Sequence, residues 1–297
     1  MSGGDQAKGT VLTSVLTKAR VVLAAGLPVL AILWALEAYR LVGVVPIRGQ
    51  FIAAMLMLGL PITFLQPREN GSAAALLAVD IVAAVLAFVT AAYVVVHADR
   101  IGLDIAYRPL DGVVTAGILL VLTLVALHRV SGWPLLCVVL AFLVYSAFGY
   151  LLPGSMQARD VVAARQALYL VFDTNGLLGF VPGIVCTVVI AYVFLGTLLL
   201  RTGGGRFFAD LSVVLLGNAR GGQAKVAVAA SALFGSISGS AVANVASTGV
   251  ITIPLMKQSG YTAEQAGAIE AVASTGGQVL PPIMGASAFI MADFVGV

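Results

Sequence analysis

Residues 235–249 read G-S-I-S-G-S-A-V-A-N-V-A-S-T-G. The stretch lies in a chain that is 60% hydrophobic, yet it consists almost wholly of Gly, Ala, Ser, Thr and Asn. Only Ile237, Val242 and Val245 are side chains well suited to lipid. As one straight helix it would reach about 22 Å at about 1.5 Å per residue, short of a hydrocarbon core about 30 Å thick. A segment this polar at bilayer depth is tolerated only where protein or a water-filled cavity surrounds it. Interrupted small-residue segments of this kind are where membrane carriers place ion and substrate sites. The reading is therefore a helix broken inside a membrane domain, with its oxygens turned toward a cavity.

The remainder of the chain supports that setting. It has 297 residues, 10% of them charged, and a mean hydropathy of +1.06. Soluble domains carry about 25% charged residues, so the deficit alone places the chain in a membrane. Apolar runs near 20 residues favour helices over a barrel, whose strands alternate over about ten residues. Six runs are clear, at about 21–39, 51–66, 73–96, 112–127, 133–152 and 177–200. A polar lead containing Lys8, Lys18 and Arg20 precedes the first, which reads as a membrane span, with a signal peptide as the rival reading. The segment 160–170 carries its charges on one side and suits the membrane interface.

Lys and Arg set the orientation. A cytoplasmic N-terminus puts Lys8, Lys18, Arg20, Arg68, Arg129, Arg201, Arg206, Arg220 and Lys225 inside, against Arg40, Arg48, Arg100, Arg108, Arg159 and Arg165 outside. The net charge of +3 is scattered among the spans, so no nucleic-acid partner is expected. Cys137 and Cys186 fall inside spans, lack metal-ligand spacing, and read as small core residues.

After residue 200 the texture changes. R-T-G-G-G-R at 201–206 ends the sixth run, and 207–216 sets Phe207, Phe208, Leu211, Val214 and Leu215 against Asp210 and Ser212, an interfacial amphipathic pattern. V-A-S-T-G occurs twice, at 245–249 and 272–276.

Four features could carry chemistry. In 235–249, hydroxyl and amide oxygens with freed carbonyls are hard ligands suited to sodium, and a half-helix N-terminus suits a carboxylate. The positions are Ser238, Ser240, Asn244, Ser247 and Thr248. Close helix packing through Gly235-x-x-x-Gly239 explains the glycines, though it needs neither the Asn nor five hydroxyls. In 273–285, Gly276-Gly277 and Pro281-Pro282 flank Gln278 and predict a discontinuous span, against the alternative of an ordinary kinked helix. Asp80 lies in the third run, where an acid costs about 2.5–3.5 kcal/mol, a cost its apolar neighbours outweigh. It is read as facing another helix and holding the bundle together. Glu270 is read at the membrane edge, or else in the cavity.

Enzyme signatures are missing. Gly235–Gly239 resembles a nucleophile elbow, but Ile237 occupies the serine's place. The histidines are His97 and His128, at run edges, and neither H-E-x-x-H nor G-x-x-x-x-G-K-[ST] occurs. With no ATPase signature, energy must come from an ion gradient or a partner chain.

From residue 202 onward the chain resembles the large permease part of tripartite ATP-independent periplasmic (TRAP) transporters, closest to the type with small and large permease parts fused. The resemblance rests on G-G-G-R-F-F at 203–208, R-G-G-Q-A-K at 220–225, L-F-G-S-I-S-G-S-A-V-A-N at 233–244, I-T-I-P-L-M-K at 251–257, Gly260-Tyr261, and A-I-E-A-V-A-S-T-G-G-Q-V-L-P-P-I-M-G at 268–285. It implies an all-α polytopic protein of the bacterial inner membrane that takes up small organic acids such as dicarboxylates. A periplasmic solute-binding protein would deliver the substrate and a sodium gradient would drive uptake, with no other cofactor and no resident metal. The first re-entrant hairpin of an elevator-type transport domain corresponds to 236–244, and the discontinuous helix beside it to 273–282. Ion-binding roles transfer to Ser238, Gly239, Ser240, Asn244, Ser247, Thr248, Thr275 and Gln278.

The expected organisation is a cytoplasmic tail at 1–20, a small-subunit-like scaffold at 21–130, and the first part of a large-permease transport domain at 131–297. One copy of the hairpin pattern is present where the family has two, so the chain is expected to be an N-terminal fragment needing the remaining large-permease portion as well as membrane lipid. The alternatives are another sodium-coupled anion symporter, which would need no binding protein, and a non-transporting structural subunit whose small-residue break only packs helices.

Overall fold

The computed structural model describes residues 3–43, 45–66, 74–281 and 284–295. The polar connection with Arg68 and Glu69, and Pro282, lie outside the described residues. The described chain is helical without a strand, as the composition requires, and it divides into two compact units, Met1–Gly183 and Ile184–Val297.

The first unit holds α1 (Gly3–Ala35), α2 (Arg48–Phe64), α3 (Ala74–Leu103), α4 (Leu110–Phe148) and α5 (Ala163–Phe172). Along α3 a stripe of Ala84, Ala87, Ala91, Val94 and Ala98 is buried, while Val79, Val82, Val85 and Val89 are exposed. Small side chains at helical spacing let a neighbouring helix approach, and bulky apolar ones on the outer face suit lipid. The large side chains Phe51, Ile52, Met55 and Phe64 of α2 are buried in the same unit. Trp34 of α1 stacks on Phe51 with ring centroids 4.2 Å apart.

The fourth and fifth apolar runs form one helical element, α4, broken at Gly132 (φ 72°, ψ −166°). Only glycine adopts that backbone readily, and Pro134 follows where a new first turn tolerates a missing N–H. Four described helical stretches are long and apolar enough to cross a membrane: Ser14–Ala35, Leu76–Leu103, Leu110–Leu151 and Phe180–Leu199. The second run is α2, a shorter apolar helix of 17 residues.

Asp80 meets a guanidinium. It is 4% exposed and forms an ion pair with Arg129, whose Cζ lies 5.0 Å from the centre of the Phe64 ring and whose Nη1 donates to the Phe64 carbonyl at 3.4 Å. The bundle-holding reading of Asp80 is the one the structure supports. Arg129, read from sequence as a loop charge, is half-buried in this pairing.

In the second unit the sixth run continues through a π-helical turn, Val185–Val189, into α7 (Ile190–Arg201). Then come α8 (Gly204–Leu216), α9 (Gly222–Ser238), α10 (Ala241–Asn244), a π-helical turn at Val245–Gly249, α11 (Val250–Gln258), α12 (Ala263–Gly277) and α13 (Ala286–Val295). Before α7, the short α6 (Phe180–Ile184) opens that run. On α8 the small residues Gly205, Ala209 and Ser212 are buried, whereas Phe207, Val214 and Leu215 are exposed. A surface helix with bulky apolar residues outward suits the membrane interface. Thr262 caps α12, accepting from the Gln265 N–H at 3.2 Å, while Gln265 accepts from the Thr262 N–H at 3.1 Å. This is a capping box.

Candidate ion site at a helical hairpin

The break falls at Gly239 and Ser240. α9 ends there because Gly239 sits at φ 62°, a left-handed conformation that favours glycine. Its N–H takes the Gly235 carbonyl at 2.9 Å. Ser240 then caps the returning helix, its Oγ accepting from the Ala243 N–H at 3.3 Å. The two arms, Gly222–Ser238 and Ala241–Gln258, are each about 25 Å long at about 1.5 Å per residue, too short to cross a hydrocarbon core of about 30 Å. The last carbonyls of a helix have no intrahelical donors. At the end of α9 they are presented beside the turn.

A cavity of about 410 Å³ lies at this tip. Ser238, Gly239, Ser240 and Gln278 line it, with Tyr192, Phe289 and Met284 among its walls. Tyr192 and Phe289 stack with centroids 5.7 Å apart. Ser238 is 6% exposed, and its Oγ has no hydrogen-bond partner. Buried hydroxyls are nearly always paired, so an orphan in a cavity wall calls for a ligand or water. α12 also stops here: Gly277 is its last residue, and the Gly285 N–H donates to the Gln278 carbonyl at 2.6 Å. The predicted discontinuity therefore lies between α12 and α13.

The other sequence-predicted residues lie elsewhere. Asn244 and Thr248 are fully buried below the tip. Asn244 Nδ2 donates to the Ser231 carbonyl at 2.8 Å, and Thr248 Oγ1 lies 3.2 Å from Asn244 Oδ1 and 2.6 Å from Glu270 Oε1. Ser247 has a buried Oγ without a partner but does not line the tip cavity. Thr275 faces outward, and its hydroxyl bonds the Ala271 carbonyl at 2.8 Å. The eight candidates thus fall into a tip group, an interior pair, and two residues in neither.

Glu270 does not line the tip cavity. It is 0% exposed, enclosed by hydroxyls of Ser231, Thr248, Thr252 and Ser274. Three of these, Ser231, Thr252 and Ser274, were not among the sequence candidates. A signal existed for two: Asn244, Thr248 and Thr252 recur every four residues, as do Glu270 and Ser274, placing each set on one helix face. Nothing near Ser231 in sequence singles it out.

Helices α9 and α12 come together through glycine. A Cβ on Gly235 would lie 2.7 Å from the Gly277 Cα and 2.8 Å from Asn244 Nδ2. Only hydrogen side chains leave room for the Asn244 amide between the helices.

Several apolar helices, a hairpin too short to cross, and a cavity at its tip lined in part by Ser238, Ser240 and Gln278 define an all-α polytopic membrane protein. Comparison with known proteins makes this specific. Residues 118–297 match the profile of the tripartite ATP-independent periplasmic transporter, DctM component, and the chain belongs to that family. It is 33% identical over 135 residues to the sialic acid TRAP transporter permease protein SiaT of Haemophilus influenzae, covering 44% of this chain and 20% of that one. It is 38% identical over 94 residues to the C4-dicarboxylate TRAP transporter large permease protein DctM of Pseudomonas aeruginosa, covering 31% of this chain and 22% of that one. With the 2,3-diketo-L-gulonate TRAP transporter large permease protein YiaN of Escherichia coli it shares 30% over 91 residues, 31% of this chain and 21% of that one. The matches span about a fifth of each of these relatives' lengths. No solved structure matches.

Proposed function

We propose that this chain forms part of a carrier that takes up small organic acids across a bacterial inner membrane, driven by a sodium gradient and supplied by a periplasmic solute-binding protein. The observation that carries the reading is the cavity at the hairpin tip, lined by Ser238, Ser240 and Gln278, with the Ser238 Oγ buried and unpartnered at its wall. Ser240 and Gln278 line the same cavity, beside the C-terminal end of α9 and its last carbonyls. An all-oxygen set of this kind suits a small hard cation, and interrupted helices supply such sites in secondary carriers. Family membership supports the transport class and the binding-protein partner. The relatives named for sialic acid, C4-dicarboxylates and diketogulonate support an organic-acid substrate. In this reading the N-terminus is cytoplasmic, residues 21–130 form a scaffold, and 131–297 open the transport part.

The test uses the complete permease in proteoliposomes with its binding protein. Ser238→Ala and Gln278→Ala are expected to raise the sodium concentration for half-maximal uptake about tenfold. Unchanged sodium dependence in both, with less folded protein, would mean that the break only packs helices. Uptake that needs no binding protein would point to a simple symporter.

A further inference from the structure

We propose that Glu270, which touches neither the tip cavity nor lipid, is a positioning residue for the cation site. The inference rests on the sodium reading above.

Glu270 gathers four hydroxyls onto one carboxylate. Oε1 accepts from Thr248 Oγ1 at 2.6 Å, Ser231 Oγ at 3.0 Å and Ser274 Oγ at 3.3 Å. Oε2 accepts from Thr252 Oγ1 at 2.6 Å. The donors come from α9, the π-helical turn, α11 and α12, so this one side chain ties both hairpin arms to the helix beside them. The two shortest distances are those of hydroxyls donating to a carboxylate, among the stronger hydrogen bonds in proteins. No Lys, Arg or His pairs with Glu270 among the described residues. Six of the surrounding polar groups, Glu270 included, are at most 1% exposed. A buried carboxylate held only by hydroxyls is costly to place, and apolar residues of similar volume would join the helices at least as well. Joining helices is therefore a weak reason for an acid at this position.

The network gives a stronger one. Each hydroxyl has a single proton. Thr248 Oγ1 can donate to Glu270, to the Asn244 carbonyl at 3.0 Å, to Asn244 Oδ1 at 3.2 Å, or to Ser231 Oγ at 3.2 Å. The carboxylate at 2.6 Å takes it. Asn244 Oδ1 then keeps its lone pairs, while Nδ2 is fixed on the Ser231 carbonyl at 2.8 Å. From Asn244 the chain runs directly to the tip, because its N–H donates to the Ser240 carbonyl at 2.9 Å. Glu270 thus takes the Thr248 proton and holds Ser231, whose carbonyl fixes the Asn244 amide, and the Asn244 N–H holds the first turn after the break.

Glu270→Gln keeps the shape but presents amide N–H groups to hydroxyls that themselves donate. In proteoliposomes with the complete permease and its binding protein, it should raise the half-saturating sodium concentration about tenfold, while uptake at saturating sodium stays within about twofold of wild type. Thr252→Val and Ser231→Ala, each removing one donor, should move the same quantity about threefold. Thr197→Val, on an exposed face of α7, should leave it unchanged. Should Glu270→Gln not fold, the two single-donor variants carry the test. An unmoved half-saturation in every variant that folds, with lowered yield as the sole effect, would overturn the positioning role. Wild-type uptake indifferent to sodium would instead defeat the sodium reading, and this inference with it.

Discussion

Gly239→Ala should destabilise the second unit by about 2–5 kcal/mol, and the contributions can be worked from the turn. The residue sits at φ 62°, where a side chain costs about 1–2 kcal/mol. An added Cβ would also lie 2.3 Å from the Met284 carbonyl oxygen, too close for any real contact. That carbonyl belongs to backbone fixed by the Gly285 N–H bond to Gln278 at 2.6 Å, so relief requires moving it and weakening that bond. Forced overpacking of this kind costs about 1–3 kcal/mol. Gly260→Ala is the matched control: its φ is 94°, yet nothing lies within 4 Å of the added Cβ. It should incur the backbone cost alone. Thermal unfolding of the purified chain in detergent, followed by circular dichroism, compares the two. At about 2–4 °C per kcal/mol, the overpacking cost of about 1–3 kcal/mol should make Gly239→Ala melt about 2–12 °C below Gly260→Ala. Equal melting temperatures would show that 239 and 284 are not in contact, and the close approach between the hairpin tip and the segment after α12 would have to be abandoned.

Two further outcomes follow from the packing. Asp80→Ala leaves the Arg129 guanidinium in the interior with the Phe64 ring and carbonyl, and should cost about 3 kcal/mol, whereas Asp80→Leu with Arg129→Met should recover most of it, since apolar replacement of a buried pair is near neutral; chemical denaturation of the three proteins checks this, and a cost under about 1 kcal/mol for the single variant would mean water reaches the pair. Gly235→Ala, with Gly277 Cα 2.7 Å from the new Cβ, should cost about 1–3 kcal/mol, while Gly276→Ala, with nothing within 4 Å, should be neutral or slightly stabilising in the same measurement.

Sequence alone determined the solvent, the helices and the place of the break. A charged fraction of 10% and apolar runs near 20 residues dictate membrane helices, because lipid neither solvates charge nor satisfies a free backbone. The run G-S-I-S-G-S places the hairpin turn, since glycine takes the left-handed conformation and serine caps the returning helix. Asp80 was legible as a bundle contact for the same reason, an acid at bilayer depth needing a partner, though not that the partner is Arg129. Helical spacing also groups Asn244 with Thr248 and Thr252, and Glu270 with Ser274. Which of those faces meet is another matter. Ser231 and Glu270 are 39 residues apart, and no periodicity links them. The crossing of α9 and α12 at Gly235 and Gly277 joins them, and it separates the candidate oxygens into a tip group at a cavity and an interior pair held by a carboxylate. Spacing along a chain fixes which side chains share a helix face; only the packing of one helix on another decides what that face touches.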